Sequence, residues 1–248
     1  MGDVFLKSGP ESALPMFEAE AQGLQELQAA NEVRVPKVID CGIANGQSHL
    51  VLERLNLRQP TADIARRFGE QLAKLHRHTK GQFGWFRDNT IGMTPQRNNL
   101  SDNWIDFFRE HRLQFQIDLA ATNGYDLQES GARLSDRLPE LFTNYEPVPS
   151  LLHGDLWAGN WGDVDGEAAI FDPAVYYGDR ESDIAMTMLF GGFGRAFYDG
   201  YKAEWPMAAG HEQRLKLYQL YHVLNHLNLF GSSYLGRAEQ LLDALLRN

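Results

Sequence analysis

The stretch LLHGDLWAGNWGDVDGEAAIFD, from Leu151 to Asp172, constrains this chain more than any other. Asp155 follows His153 and Gly154. Asn160 comes five residues later, and Asp172 twelve after that. Between Asn160 and Asp172 the sequence reads as a hairpin. Asp165-Gly166 is a favoured two-residue turn, and Ala168, Ala169, Ile170 and Phe171 form an apolar run that ends in Asp172.

These residue types in this order suit phosphoryl transfer. That chemistry needs a carboxylate to take the acceptor hydroxyl's proton, and an amide oxygen with a second carboxylate to hold Mg²⁺ against the phosphates. The catalytic loop of protein kinases likewise sets an Asn five residues after its base Asp, and then leads through a strand pair to a metal-binding Asp. Asp155, Asn160 and Asp172 reproduce that order. An Asp and an Asn at this spacing alone say little. The full string, with His153-Gly154 before it and Phe171-Asp172-Pro173 after the turn, says much more.

The first residues extend the pattern. DVFLK reads as the end of a strand with Lys7 as its last residue, and Ser8 to Pro15 as a loop. A helix is expected from Met16 to about Ala30, with Phe17, Ala21, Leu24 and Leu27 at helical spacing and Glu20 beside that stripe. A strand Lys and a helix Glu are the ion pair that kinases use to hold ATP phosphates. RVPKVID (34–40) and SHLVLE (48–53) read as two strands joined at Asn45-Gly46. Glu53-Arg54-Leu55 then leaves the second strand, where a kinase-like chain meets adenine through its backbone.

Thr61 to His78 reads as an amphipathic helix with Ile64, Phe68, Leu72 and Leu75 on one face, capped by Thr61 or Asp63. His76 and His78 point to different faces and read as structural or exposed. The stretch 81–100 shows no helical or strand period. As a polar loop with aromatics it suits a sugar-like ligand. Helices are expected over 103–121, 127–142, 211–230 and 237–247, and from about Ser182. Asp183, at the start of that last one, is expected to brace the catalytic loop. Gly191 to Gly194 matches no phosphate-binding glycine motif and reads as a helix end. His222 and His226 have the spacing of a zinc motif, but Val223 stands where its Glu belongs, so no zinc site is assigned.

Composition narrows the partners. A net charge of −10 over 248 residues argues against broad binding to nucleic acid or anionic membrane. No apolar run is long enough for a membrane span, and the first residues have no signal-peptide core. Cys41 is the single cysteine, which suits a reducing cytoplasm.

With MFEAEAQGLQEL, RVPKVID, DNTIGMTPQ, LLHGDLWAGNWG, FDPAVYYGDRESDIAMT and YQLYHVLNHLNLFG in hand, the chain resembles the fructosamine (ketosamine-3-) kinase family, a branch of the aminoglycoside phosphotransferase and protein-kinase-like superfamily. The resemblance implies an α+β two-lobe fold, with a β-rich nucleotide lobe over 1–54 and a helical lobe over 55–248 carrying the catalytic loop and acceptor site. It implies ATP and Mg²⁺, and transfer to the C3 hydroxyl of free or protein-bound ketosamines, a deglycating activity. Asp155 would be the base, Asn160 and Asp172 the metal ligands, and Lys7 with Glu20 the phosphate grip. Glu53 and Leu55 would border the nucleotide. Trp157 with Asp88, Asn89, Thr94 and Gln96 would lie near the sugar. Family members usually carry a further stretch ahead of the Lys7 strand. The nucleotide lobe is therefore expected to be incomplete, without the first two strands and the phosphate-covering loop.

Two other readings remain at this point. One is a kinase of the aminoglycoside phosphotransferase type with another hydroxyl acceptor. The other is a truncated kinase-like protein that only binds. DNTIGMTPQ favours the ketosamine, and intact Asp155, Asn160 and Asp172 favour catalysis.

Overall fold

A computed structural model describes residues 4–247. The first lobe is a three-stranded antiparallel sheet with one helix against it. Strands β1 (Val4–Pro10), β2 (Val38–Ala44) and β3 (Gln47–Glu53) lie in the order β1-β3-β2. Helix α1 (Leu14–Ala30) covers the sheet with Phe17, Ala21, Leu24 and Leu27, the stripe that its helical spacing predicts.

Three boundaries differ from the sequence expectation. Strand β1 does not end at Lys7 but runs on to Pro10, with Lys7 paired to Leu50. Pro10 is tolerated because it closes an edge strand, and the Ser48 hydroxyl donates to its carbonyl at 2.7 Å. A 3₁₀ turn, Glu11–Ala13, replaces the rest of the expected loop. Strand β2 starts at Val38 rather than Arg34, because Arg34 is used elsewhere: its carbonyl accepts from Ile170 N at 2.9 Å. At the β2–β3 turn Asn45 and Gly46 both take positive φ, 52° and 74°, as that dipeptide predicts.

The second lobe is mainly helical. Helix α2 (Ala62–Leu75) buries Ile64, Phe68, Leu72 and Leu75, and its Thr61 hydroxyl accepts from Ile64 N at 3.3 Å. Next come α3 (Trp104–Phe108), a π-helical segment (Arg109–Gln114) and α4 (Phe115–Thr122). The π segment has a sequence cause. The buried positions Phe108 and Leu113 are five apart, and one wide turn keeps Leu113 and Ile117 on the face of Trp104 and Phe107. Helices α5 (Gln128–Leu141), α6 (Glu181–Thr187), α7 (Arg195–Glu204), α8 (His211–Phe230) and α9 (Leu235–Leu246) complete the lobe.

Helix α7 was not foreseen. Its closeness to α2 explains it: a Cβ on Gly69 would lie 2.1 Å from Phe197 O, and one on Gly200 would lie 2.1 Å from Arg66 O. Glycines at the crossing let the backbones touch, a feature that a hydrophobic period cannot display. The stretch 81–100 is not wholly irregular either. Strands β4 (Asn89–Ile91) and β5 (Thr94–Gln96) pair across Gly92-Met93. Two further ribbons, β6 (Ser150–Leu152) with β9 (Tyr176–Gly178) and β7 (Trp161–Val164) with β8 (Glu167–Ile170), frame the central loop. Among the described residues no helix is long and apolar enough to cross a membrane.

Candidate active site

Closure of the β7–β8 hairpin builds the site. Asp165 and Gly166 turn the chain with φ of 54° and 90°. Beyond the ladder, Phe171 N donates to Asn160 O at 3.1 Å, which sets Asp172 beside Asn160. Asn160 is buried, and its Nδ2 donates to Asp155 O at 2.9 Å and reaches Asp155 Oδ2 and Asp172 O at 3.5 Å each. All three contacts use Nδ2, so Oδ1 is the oxygen left for a cation.

The first lobe supplies the counter-charge. Lys7 Nζ, on β1, lies 2.7 Å from Glu20 Oε1 on α1 and 2.8 Å from Asp172 Oδ1. Burial works against a charged Lys7, but the two carboxylates outweigh it and raise its pKa above the ordinary lysine value. Asp155 is pushed the other way. Burial, then the nearby Asp183 and Asp172 carboxylates, lift its carboxyl to about 7, against the opposing Asn160 hydrogen bond. A carboxylate with a pKa near neutrality is matched to proton transfer at that pH.

The loop that presents Asp155 is held from below. Asp183 accepts from His153 N at 2.8 Å, from Gly154 N at 2.9 Å and from the His76 ring at 3.2 Å. His76 in turn meets the Tyr201 hydroxyl at 2.8 Å, and Arg180 donates to that hydroxyl at 3.1 Å. The network fixes the tautomer. Tyr201 donates to Nδ1, and Nε2–H donates to Asp183. Burial lowers the pKa of His76, so the ring is neutral at pH 7. His153 is neutral for the same reason, with Nε2 donating to Phe171 O at 3.0 Å and Nδ1 accepting from Asp155 N at 3.3 Å.

Two recesses meet at Asp172. One, of about 440 Å³, is lined by Lys7, Glu20, Asp155, Asn160 and Asp172 together with Asn89, Met93, Trp157, His226 and Phe230. The other, of about 260 Å³, is a mostly apolar slot between Phe5, Pro36 and Leu52 on one side and Leu57 and Phe171 on the other. Glu53, Arg54 and Leu55 border it. The Glu53 carboxylate is turned to Arg34 Nη2 (2.9 Å) and Lys37 N (3.2 Å), and its own N–H donates to Lys37 O at 2.8 Å, so neither its charge nor its N–H is offered to the slot. The slot suits a flat heterocycle, and the larger recess a sugar with its phosphate donor.

The four residues expected near the sugar from the 88–96 stretch divide. Asn89 reaches the recess; Thr94 and Gln96 are buried outside its lining, and Asp88 is exposed away from it. Gln96 is buried and fully engaged. Its Nε2 donates to Asn89 Oδ1 (2.8 Å) and Ala174 O (3.0 Å), and its Oε1 accepts from Tyr221 (2.9 Å). Asp88 Oδ1 accepts from Asn98 N at 2.7 Å. These side chains hold the β4–β5 hairpin against the catalytic loop.

Sequence reasoning missed the charged cluster under the site. Asp179 accepts from Tyr218 (2.6 Å) and Tyr145 (2.7 Å), and Glu181 forms a two-pronged ion pair with Arg214 at 2.8 and 3.0 Å. All of these charges are buried. The signal was present in GDRESD, four charged residues within an apolar stretch.

The match to known proteins runs the length of the chain. The fructosamine kinase family model covers residues 1–248. A probable ketoamine kinase of Synechocystis is 46% identical over 98% of this chain and 83% of its own. A protein-ribulosamine 3-kinase of Arabidopsis thaliana, a chloroplastic protein, is 40% identical over 99% of this chain and 77% of its own. A crystal structure of a putative fructosamine-3-kinase from Haemophilus somnus superposes with a TM-score of 0.91 at 31% identity, covering 99% of this chain and 84% of that one. An ADP-bound aminoglycoside phosphotransferase shares the fold alone, with a TM-score of 0.64 at 14% identity over 98% of this chain and 87% of that one. The two-lobe architecture and the full-length match make this chain a member of the fructosamine kinase family, an ATP-dependent phosphotransferase.

Proposed function

We propose that the protein transfers the γ-phosphoryl group of ATP to the C3 hydroxyl of a ketosamine, with Mg²⁺. The observation that carries this reading is the convergence of Lys7, Asp155, Asn160 and Asp172 on one recess beside an apolar slot. Relatives named as ketoamine, ribulosamine and fructosamine kinases supply the acceptor class.

The slot bordered by Glu53 and Leu55, the connector between the lobes, takes the adenine. Lys7, steadied by Glu20, reaches the α- and β-phosphates. The donors near Asp172 fit Mg²⁺, which prefers oxygen ligands, few carboxylates and the substrate's own phosphates. Asn160 Oδ1 and the Asp172 carboxylate would hold it. Bound there, the ion neutralises charge on the phosphates. Asp155 accepts the C3 hydroxyl proton as that oxygen bonds to the γ-phosphorus, and the bond to the β–γ bridging oxygen breaks. Trp157 and Asn89 face the sugar; Asp88, Thr94 and Gln96 position Asn89 and its hairpin. A phosphate on C3, next to the C2 carbonyl, is set up to leave, and its loss leads to release of the amine. The activity is therefore a deglycation. The lone Cys41 and the acidic balance suit a cytoplasmic protein.

The test is Mg²⁺-dependent ATP consumption with ribulosyl-lysine or fructosyl-lysine, with the product located by ³¹P NMR. Transfer to C3 is expected, and Asp155→Ala abolishes it. Turnover of an aminoglycoside with none of either ketosamine would overturn the reading.

A further inference from the structure

The recess has a second half that phosphoryl transfer does not use. Its charged side chains are Lys7, Glu20, Asp155 and Asp172, all already given a part in phosphoryl transfer. The remaining lining is uncharged, and it is rich in exposed rings. Trp157 is 39% exposed and Phe230 65%, and Phe190, beside them, is 42% exposed. Patches of this kind on a soluble protein mark binding surfaces.

These rings converge on His226. Its ring centroid lies 4.7 Å from that of Phe190, 5.2 Å from Tyr234 and 5.4 Å from Phe230, and Phe190 meets Trp157 edge-on at 6.5 Å. Phe190 holds its place with a φ of 53°, a left-handed conformation uncommon for an aromatic residue. Such backbone is concentrated at ligand sites. His226 is equally specific. Its Nδ1 lies 2.8 Å from His222 O, a carbonyl, so Nδ1 is the donor and Nε2 carries the lone pair. Burial lowers the ring's pKa, which keeps it neutral at pH 7. No side chain among the described residues bonds Nε2.

A ketosamine bears a secondary amine on C1, its nitrogen four bonds from the C3 oxygen, and that amine is protonated at neutral pH. No carboxylate in the recess is free to meet it. Glu20 and Asp172 are paired with Lys7, and Asp155 is assigned to the hydroxyl. Neutral acceptors and aromatic faces remain, and both attract an ammonium group.

We propose that Trp157, Phe190, His226 and Phe230 form the subsite for the acceptor's amine. In it the Nε2 lone pair of His226 accepts from the ammonium, and the rings face its charge and the aliphatic arm beyond. The subsite makes the protein selective for the nitrogen of a ketosamine over a neutral sugar of the same shape. The inference rests on the ketosamine reading above.

Two acceptors test it: fructosyl-lysine, and its analogue with an ether oxygen in place of the amine nitrogen. The full chain is expected to favour the nitrogen compound in kcat/KM by about ten- to hundredfold, the scale of one hydrogen bond to a charged group. His226→Phe, which keeps a ring but removes the acceptor, is expected to erase most of that preference. His226→Gln, which restores an acceptor, is expected to recover part of it. Phe230→Ala, at a position 65% exposed, is expected to raise KM for fructosyl-lysine more than for the ketosamine of methylamine, which lacks the arm. An unchanged nitrogen-to-oxygen ratio in His226→Phe would overturn the subsite and leave the ketosamine reading standing. No turnover of any ketosamine by the unmodified chain would overturn both.

Discussion

Asp183 grips the backbone N–H of Gly154 at 2.9 Å from 29 residues further along the chain. With the His153 N–H and the His76 ring, this carboxylate uses both oxygens to fix the residue before Asp155. Burial alone would push the Asp183 carboxyl up. The hydrogen bond from His76 and those from the loop N–H groups outweigh it and hold its pKa below the ordinary value. Asp183→Ala leaves two buried N–H groups and a buried imidazole without their acceptor. It is expected to cost about 3–5 kcal/mol of stability, the range for breaking a buried charged network. Because Asp155 is then no longer held in line, kcat is expected to drop by about a hundredfold or more. Urea denaturation and steady-state kinetics measure the two. Wild-type kcat in a folded variant would show that the loop holds itself.

Gly154 is irreplaceable for a geometric reason. Its φ is +82°, and a Cβ there would sit 2.1 Å from Ala174 O, whose own N–H is bonded to His153 O at 2.8 Å. Gly154→Ala therefore meets both an unfavourable dihedral and a backbone clash. A loss of at least about 2 kcal/mol is expected, with loss of turnover. Thermal melts with and without ATP analogue check it. A variant with native stability would mean that the turn tolerates a side chain.

Asp155 couples function to stability through its pKa. The carboxyl titrates near 3.8 in the unfolded chain and at about 7 in the fold. The fold therefore prefers the protonated form. It loses stability as pH rises from about 4 to about 7, because ionising the buried carboxyl works against folding. Asp155→Asn removes that cost. The variant is expected to be more stable than wild type above pH 7, by on the order of 2 kcal/mol, with the gain vanishing towards pH 4. It is also expected to be inactive. Wild-type kcat/KM is expected to fall as pH drops below about 7, since Asp155 must be ionised to act as the proposed base. Chemical denaturation across pH reads the first effect and initial rates the second. A gain that is the same at pH 4 and pH 8 would contradict the ionisation account.

Asp172 joins the lobes through its 2.8 Å contact with Lys7, and both are proposed to meet the nucleotide's phosphates. Magnesium is expected to tighten ADP binding to the wild-type chain, and Asp172→Ala is expected to make that binding insensitive to the ion. Lys7→Met is expected to weaken ADP by about tenfold or more even with magnesium, since it removes a charged phosphate donor and leaves Glu20 and Asp172 unpaired. Calorimetric titration of ADP with and without Mg²⁺ separates the two variants. Magnesium-dependent binding by Asp172→Ala would place the ion elsewhere.

The chain itself determined whatever depends on short-range rules. The Asp165-Gly166 and Asn45-Gly46 turns, the buried stripes of α1 and α2, and the run from Asp155 to Asp172 are written in neighbouring residues. Local dihedral preference and side-chain period govern them. Tertiary structure decided what closes over distance. Strands β4 and β5 are three residues each, too short to show a period. They form because Gln96 and Asn89 bond to carbonyls at Ala174 and Val175 across the chain. Helix α7 depends on glycine contacts with α2. The buried cluster of Asp179, Arg180, Glu181 and Arg214 resembles a solvated charged face until its partners surround it. His226 makes the same point: with His222 it has a zinc-motif spacing that Val223 leaves incomplete, and only the fold shows its ring among Phe190, Phe230 and Tyr234 at the recess, with Nδ1 donating to the His222 carbonyl. Burial sets the charge state of each such group, and burial is a property of the assembled fold.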